Sequence, residues 1–524
     1  MARTKRLIWS LAIGWGLAAA GNAEAAGPEA CRALSALHAQ GLKLAITRAE
    51  WVPAGPAEPT PFGMGYRGEL PRHCRVDGEI DRRIGASGKP YAIGFALAMP
   101  EEWNGRFLFQ GGGGLNGNVA QPVGQAAAGD RPALVRGFAV ATTDSGHKGA
   151  QPFDAAFFED QEATLNFLYK GIGKVNVAAR QIVAAFYGQP AAHAYYVGCS
   201  TGGREGMIMS QRFPEAFDGI VAGAPAMRTN FSNLADRWVL VALNAAARRD
   251  EQGRPIPGTA FSEAERRLII DSLLDACDPM DGVRDGMIFD PLACDFDPTS
   301  LLCTEGKTDA CLSDTQVGAL TKGFAGPVDS RGHQVYPGFL YDTGIAASPP
   351  GSFVPGLLTA TGGPLGPGSR ETEMDVDGAS VAAADEKAAV GDSTWTNLST
   401  FSGHGGKLIF YHGVSDPWFS ALDTVGYYQG LGEANGGREA VSRWSRLFLV
   451  PGMGHCGGGE RALDQFDMLS AIVSWVEEDA APESVVASGR AFPGRSRPLC
   501  PVPTHAHYVG QGDSERAASF ECRE

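Results

Sequence analysis

Short apolar runs separated by longer stretches of mixed polarity set the pattern of this chain. Seven of the runs read as buried strands: Ala92 to Met99, Arg106 to Phe109, Gly137 to Thr142, Ala194 to Val197, Gly219 to Ala222, Lys407 to Tyr411 and Arg446 to Val450. Runs of this length bounded by turn residues fit strands covered on both faces. Glu162 to Tyr187 and Asp464 to Glu478 carry helical patterns. Strands alternating with helices predict an α/β fold with a doubly wound, mostly parallel sheet. Most of the strands run into glycine-rich or polar loops, where ligands sit in such sheets.

The alternation fades after Pro225. From 226 to 405 the chain is rich in Asp, Gly and Pro and holds two pairs of cysteines, so it reads as a lid inserted between sheet strands. Residues 26–225 and 406–524 then form the two parts of the core. Pro349 to Gly368, rich in Gly and Pro, reads as a mobile stretch.

Residues 1–25 have the layout of an export signal. Arg3, Lys5 and Arg6 precede an apolar run from Leu7 to Ala20, and Ala23-Glu24-Ala25 offers small residues for cleavage. No later segment is apolar enough to span a bilayer, so no membrane insertion is expected after signal removal. The chain is therefore expected to be secreted or periplasmic. The net charge of −15 repels polyphosphate, which argues against a nucleic-acid partner. Ten cysteines all lie beyond the signal, and in an exported chain that even number predicts five disulfides. Local closure favours Cys277 with Cys294, Cys303 with Cys311 and Cys500 with Cys522. Cys31, Cys74, Cys199 and Cys456 remain.

The segment Tyr195-Tyr196-Val197-Gly198-Cys199-Ser200-Thr201-Gly202-Gly203 joins a strand-like run to a helix-like one through a serine flanked by small residues. This is the layout of a nucleophile elbow. A serine hydroxyl needs a base to accept its proton, and the base needs an acid to orient it. Strand Lys407 to Tyr411 leads to Asp416, and strand Arg446 to Val450 leads to His455. The order Ser200, Asp416, His455 is the order such a fold requires. His412 is a rival base, but it precedes the acid and is expected to pack near the strand end. Developing negative charge on the substrate calls for backbone N–H donors. Thr201 supplies one, and Gly113 or Gly114 of the Gln110-Gly111-Gly112-Gly113-Gly114 loop supplies the other. A bond between Cys199 and Cys456 would fix the separation of the serine and histidine loops.

A cation site is a second candidate. Asp278, Asp281 and Asp285 offer carboxylates, with Val283 and Met287 offering carbonyls, in a glycine-bent loop flanked by Cys277 and Cys294. Hard oxygen donors in that arrangement suit structural Ca2+, although the spacing is not that of an EF-hand.

Three stretches together resemble the tannase/feruloyl esterase family: Gly-Cys-Ser-Thr-Gly-Gly-Arg-Glu-Gly at 198–206, the Tyr411-His412-Gly413 to Asp416 loop, and Pro451 to Cys456. The aspartate loop at 278–287 adds to the likeness. The resemblance implies an α/β-hydrolase core, a lid with structural calcium, and esters of aromatic acids such as ferulate or gallate as substrates. It implies Ser200, Asp416 and His455 as the triad. It also implies disulfides 31–74, 199–456, 277–294, 303–311 and 500–522. Phe410 to Tyr428 and Leu447 to Cys456 are similar to terephthalate monoester hydrolases within the family, which implies Phe419 as an aromatic substrate contact. The lid segment that holds an arginine for the terephthalate carboxylate in those enzymes is not recognisable here. A terephthalate monoester hydrolase is the alternative within the class. A non-catalytic α/β-hydrolase scaffold used for binding is the alternative outside it.

Overall fold

The computed structural model describes residues 26–58, 65–348, 354–362 and 368–524. The expected export signal at 1–25 and parts of the Pro349 to Gly368 stretch lie outside the described residues.

Nine strands form the central sheet: β1 (Leu44–Val52), β2 (His73–Ile84), β3 (Pro90–Pro100), β4 (Arg106–Gln110), β5 (Ala139–Thr143), β6 (His193–Cys199), β7 (Gly219–Gly223), β8 (Lys407–Gly413) and β9 (Ser445–Val450). Their spatial order is β1-β2-β3-β5-β4-β6-β7-β8-β9. All pairings from β5 to β9 are parallel, and the β1–β2, β2–β3 and β3–β5 pairings are antiparallel. This is the α/β-hydrolase arrangement, with each of the seven expected strands present. Gly137 stays outside its strand, in a left-handed turn at φ 88° that ends a short helical segment before β5.

The antiparallel pair β1 and β2 is an addition to the sequence-based expectation. In β2, His73, Cys74, Val76, Gly78 and Ile80 are buried while Arg75, Asp77 and Glu79 are partly exposed. A period of two with charges on one face marks a half-covered strand rather than the continuous apolar run of a central one.

Helix α1 (Gly171–Tyr187) continues a shorter helix at Gln161–Leu165 through a π-turn at Asn166–Lys170. The Asp160 carboxylate caps the start by accepting from Ala163 N–H. The expected helix Asp464 to Glu478 is shorter than its pattern. Asp464 instead accepts from Gly458 N–H, Gln465–Phe466 pair as a small strand, and α8 starts at Met468 with Asp467 as its cap. The preceding helices are α2 (Thr201–Arg212), α3 (Thr229–Ala246), α4 (Glu263–Cys277), α5 (Asp314–Ala325), α6 (Glu386–Gly391) and α7 (Ala421–Ala434).

The chain between β7 and β8 builds a helical layer. Ser262 with Glu265 and Ser313 with Gln316 form capping boxes that start α4 and α5. Their apolar faces close on a core of their own, including Leu243, Phe261, Ile269, Leu273, Leu320 and Phe324. The segment thus holds an apolar centre of its own.

Candidate active site

Strand β6 ends at Cys199, and Ser200 follows with φ 64° and ψ −124° before α2 begins. A non-glycine residue is rarely held there, and the strain lifts the side chain clear of the sheet. The turn is pinned by Ser200 N–H donating to Gly223 O at 3.0 Å, and by Ala226 N–H donating to Ser200 O at 3.2 Å. Gly202 allows the close approach of the Gly111 to Gly114 loop: a Cβ there would lie 2.7 Å from Gly112 O. Gly114, at φ +59°, faces Pro152 O so closely that a Cβ would lie 2.6 Å from it. The Thr201 hydroxyl donates to Gly114 O. Gly111 N–H donates to Val197 O and Gly112 N–H to Glu205 Oε2, while Gly113 and Gly114 N–H find no acceptor among the described residues.

Asp416 and His455 come from the loops after β8 and β9. Asp416 Oδ2 lies 2.7 Å from His455 Nδ1, with both side chains buried. The other oxygen, Oδ1, accepts from Trp418 N–H at 2.9 Å and Phe419 N–H at 3.2 Å. Burial alone would raise the Asp416 carboxyl, but the His455 charge and the bonds from His412 and His455 hold it well below the usual carboxylate range. His412 is fully buried behind Asp416, with Nδ1 2.8 Å from Thr424 Oγ1 and Nε2 2.9 Å from Phe419 O. That position removes it from the open face where a substrate reacts. Trp418 and Phe419 flank the His455 ring, with centroids 4.7 and 5.2 Å away.

The disulfide Cys199–Cys456 joins the serine and histidine loops, with Cα atoms 6.0 Å apart. Cys31–Cys74, Cys277–Cys294, Cys303–Cys311 and Cys500–Cys522 complete the five pairs implied by the resemblance.

Two supporting carboxylates escaped sequence reasoning. Glu205 is buried on α2 and accepts from Gly112 N–H at 3.0 Å, Asn116 Nδ2 at 2.8 Å, Ser145 Oγ at 3.0 Å and the Tyr196 hydroxyl at 3.0 Å. It ties the glycine loop to helix α2, which follows Ser200. Asp342, from the layer between β7 and β8, accepts from Ser415 Oγ at 2.6 Å and Gly452 N–H at 2.7 Å. It joins the acid loop to the histidine loop, so the inserted layer supports both. Glu205 sits inside the helical stretch that follows the elbow, and a buried acid one turn into such a helix is its only local signal. Asp342 has none, because its partners lie 73 and 110 positions away.

The acidic loop follows α4. Asp278 Oδ1 and Oδ2 accept from the N–H groups of Asp285 and Gly286 at 3.0 and 2.9 Å. Asp285 pairs with Arg497, and Arg495 stands 3.9 Å away. Asp281 Oδ2 and Asp285 Oδ1 are buried without a hydrogen-bond partner. Burial, with the neighbouring Asp285 and Asp278 charges, pushes the Asp281 carboxyl up to about 8. Val283 is partly buried and Met287 fully so. Orphaned carboxylate oxygens of this kind fit a cation. Among the described residues no three His, Cys, Asp or Glu side chains converge into a ready-made cluster, so a cation here would need backbone carbonyls among its donors.

The model of the family described as tannase and feruloyl esterase matches residues 74–364 and 367–523. The chain belongs to the tannase and feruloyl esterase family. It is a carboxylic ester hydrolase. A mono(2-hydroxyethyl) terephthalate hydrolase of Piscinibacter sakaiensis is 37% identical over 90% of this chain and 87% of its own length. A probable feruloyl esterase B-2 of Aspergillus flavus is 31% identical over 74% of this chain and 76% of its own. The crystal structure of feruloyl esterase B from Aspergillus oryzae superposes with a TM-score of 0.77 at 25% identity, covering 95% of this chain and 100% of that one. Among the described residues no helix is long and apolar enough to cross a membrane.

Proposed function

We propose that this family member is an exported serine carboxylesterase that hydrolyses esters of aromatic carboxylic acids of the feruloyl or galloyl type. The observation that carries the reading is the Asp416–His455 contact at 2.7 Å, on a loop bonded through Cys456 to the residue before a strained Ser200. Asp416 accepts the Nδ1 proton of His455 and so leaves Nε2 as the basic nitrogen. His455 takes the Ser200 proton as the hydroxyl attacks the ester carbonyl. The N–H groups of Thr201 and of Gly113 or Gly114 receive the oxyanion. His455 then protonates the departing alcohol and activates the water that releases the acid from Ser200. Phe419, beside His455, contacts the aromatic acyl group.

Five disulfides support an oxidising compartment, secreted or periplasmic. Asp278, Asp281 and Asp285 with the Val283 and Met287 carbonyls would hold Ca2+, which would neutralise buried charge and brace the loop without entering the reaction.

Ser200→Ala tests the assignment. Turnover of methyl ferulate should fall by at least ~10⁴-fold with unchanged circular dichroism, and a phosphonate ester should label the parent protein at Ser200 alone. Full turnover by the variant sinks the reading. The 37% identity to the terephthalate monoester hydrolase favours a second reading, hydrolysis of that monoester at the same site. A panel of methyl ferulate, methyl gallate and mono(2-hydroxyethyl) terephthalate ranks the two by kcat/KM.

A further inference from the structure

Beside Ser200 opens a cavity. Its walls carry the rings of Phe153, Phe158, Trp418 and Phe419 together with the cations Arg204 and Lys387, and Asp392 faces the same space as Ser200. Asp392 directly follows α6, its N–H donating to Ala388 O at 2.9 Å. The next residue, Ser393, donates to Met227 O at 3.1 Å, one position from the Ala226 N–H that bonds Ser200 O. Two short backbone links therefore hold Asp392 against the nucleophile turn.

The Asp392 carboxylate accepts no hydrogen bond from any described residue. The cations around it are engaged elsewhere. Arg204 donates to Leu168 O at 2.8 Å and Phe167 O at 3.1 Å, Arg228 pairs with Asp423, and Lys387 pairs with Asp385 at 2.8 Å. Burial pushes the Asp392 carboxyl up to about 7 against the pull of Arg228 and Arg204. The partly buried Asp392 carboxylate thus keeps acceptor capacity that a donor on a bound ligand can fill. Once Asp392 is ionised, a phenolic hydroxyl is such a donor, whereas the free carboxylate of a terephthalate monoester is a second acceptor of like charge.

We propose that Asp392 is a specificity-determining residue: it accepts a hydrogen bond from a phenolic hydroxyl on the acyl ring and disfavours acids whose distal group is a carboxylate. This inference rests on the esterase reading above, with the acyl group in this cavity.

The test compares kcat/KM for methyl ferulate and methyl 3,4-dimethoxycinnamate, in which both ring oxygens are methylated, within each variant. The parent enzyme should prefer ferulate by roughly 10- to 100-fold, the range of a hydrogen bond to a charged acceptor. Asp392→Ala should bring that ratio to about one. Asp392→Asn, which keeps a carbonyl acceptor and drops the charge, should retain part of the ratio and raise turnover of mono(2-hydroxyethyl) terephthalate relative to dimethoxycinnamate. A parent ratio near one, or an unchanged ratio in Asp392→Ala, overturns the proposal. Hydrolysis of p-nitrophenyl acetate by the parent enzyme, lost in Ser200→Ala, keeps the nucleophile assignment standing in that event. A parent enzyme that turns over none of these esters overturns both.

Discussion

Cys199 and Cys456 stand 257 positions apart in the chain, yet a disulfide brings their Cα atoms to 6.0 Å. Each is the immediate neighbour of a proposed catalytic residue, so the bond ties the Ser200 loop to the His455 loop covalently.

Replacing both cysteines by serine should separate stability from catalysis. Loss of a cross-link over so long a loop costs about 2–5 kcal/mol in comparable domains. If the bond also positions Ser200 against His455, kcat should fall by about 10- to 100-fold with KM little changed. Urea titration and steady-state kinetics at a temperature where the variant is folded check both numbers. A destabilised variant with the parent kcat would make the bond a staple and nothing more.

Glu205 should prove as costly to remove as a residue in contact with substrate. Four donors converge on its two oxygens, and one is the Gly112 N–H of the proposed oxyanion loop. Glu205→Ala leaves those donors unpaired in a buried site and frees the loop. We expect kcat to drop by about 100-fold, the scale of a lost oxyanion donor. Glu205→Gln, which turns one acceptor into a donor, should fall between. A parent-like kcat in the alanine variant would show that the loop holds its place without Glu205.

Asp144 gives a pH dependence of stability with a defined sign. Its carboxyl is buried and pushed from 3.8 up to about 7, although Gly146 and Gly94 N–H groups both bond Oδ1. The folded state therefore holds this proton more tightly than the unfolded chain. The contribution is complete below about pH 4 and lost as pH rises to about 7. Asp144→Asn keeps Oδ1 and both bonds while removing the titration. Urea midpoints between pH 5 and 8 should slope less steeply downward for the variant than for the parent. Parallel slopes would mean that Asp144 is ionised in the folded state throughout.

Calcium binding to the 278–287 loop predicts a stability response without a direct effect on chemistry. Chelation by EGTA should lower the melting temperature by several degrees, and added Ca2+ should restore it by mass action. Asp281→Asn, which neutralises one orphaned carboxylate, should weaken the response. Calorimetry showing identical melting with and without Ca2+ would remove the ion from the account of this loop.

The turn at Ser200 and the loops that carry Asp416 and His455 were readable because each follows a short apolar run, and strand ends are local features of sequence. The seven central strands were legible for the same reason: a strand covered on both faces needs a continuous apolar stretch. β1 and β2 were not, because one side of that pair is charged and a period of two is easily lost among Arg, Asp and Glu. The start of α8 was misjudged because Asp464 is drawn to Gly458 N–H, a partner in the loop that carries His455.

By itself, the sequence determined the fold class, the order of the site residues along the chain, and the family to which the chain belongs. These follow from periodicity, turn chemistry and short motifs, all carried by neighbours in sequence. Only the tertiary structure decided which groups hold the site in place and what lines the cavity. Glu205 and Asp342 act through partners far along the chain. Asp392 matters because its neighbouring cations are already committed. Such roles depend on which polar groups remain unpaired once the core has closed, and that balance exists only in the folded molecule.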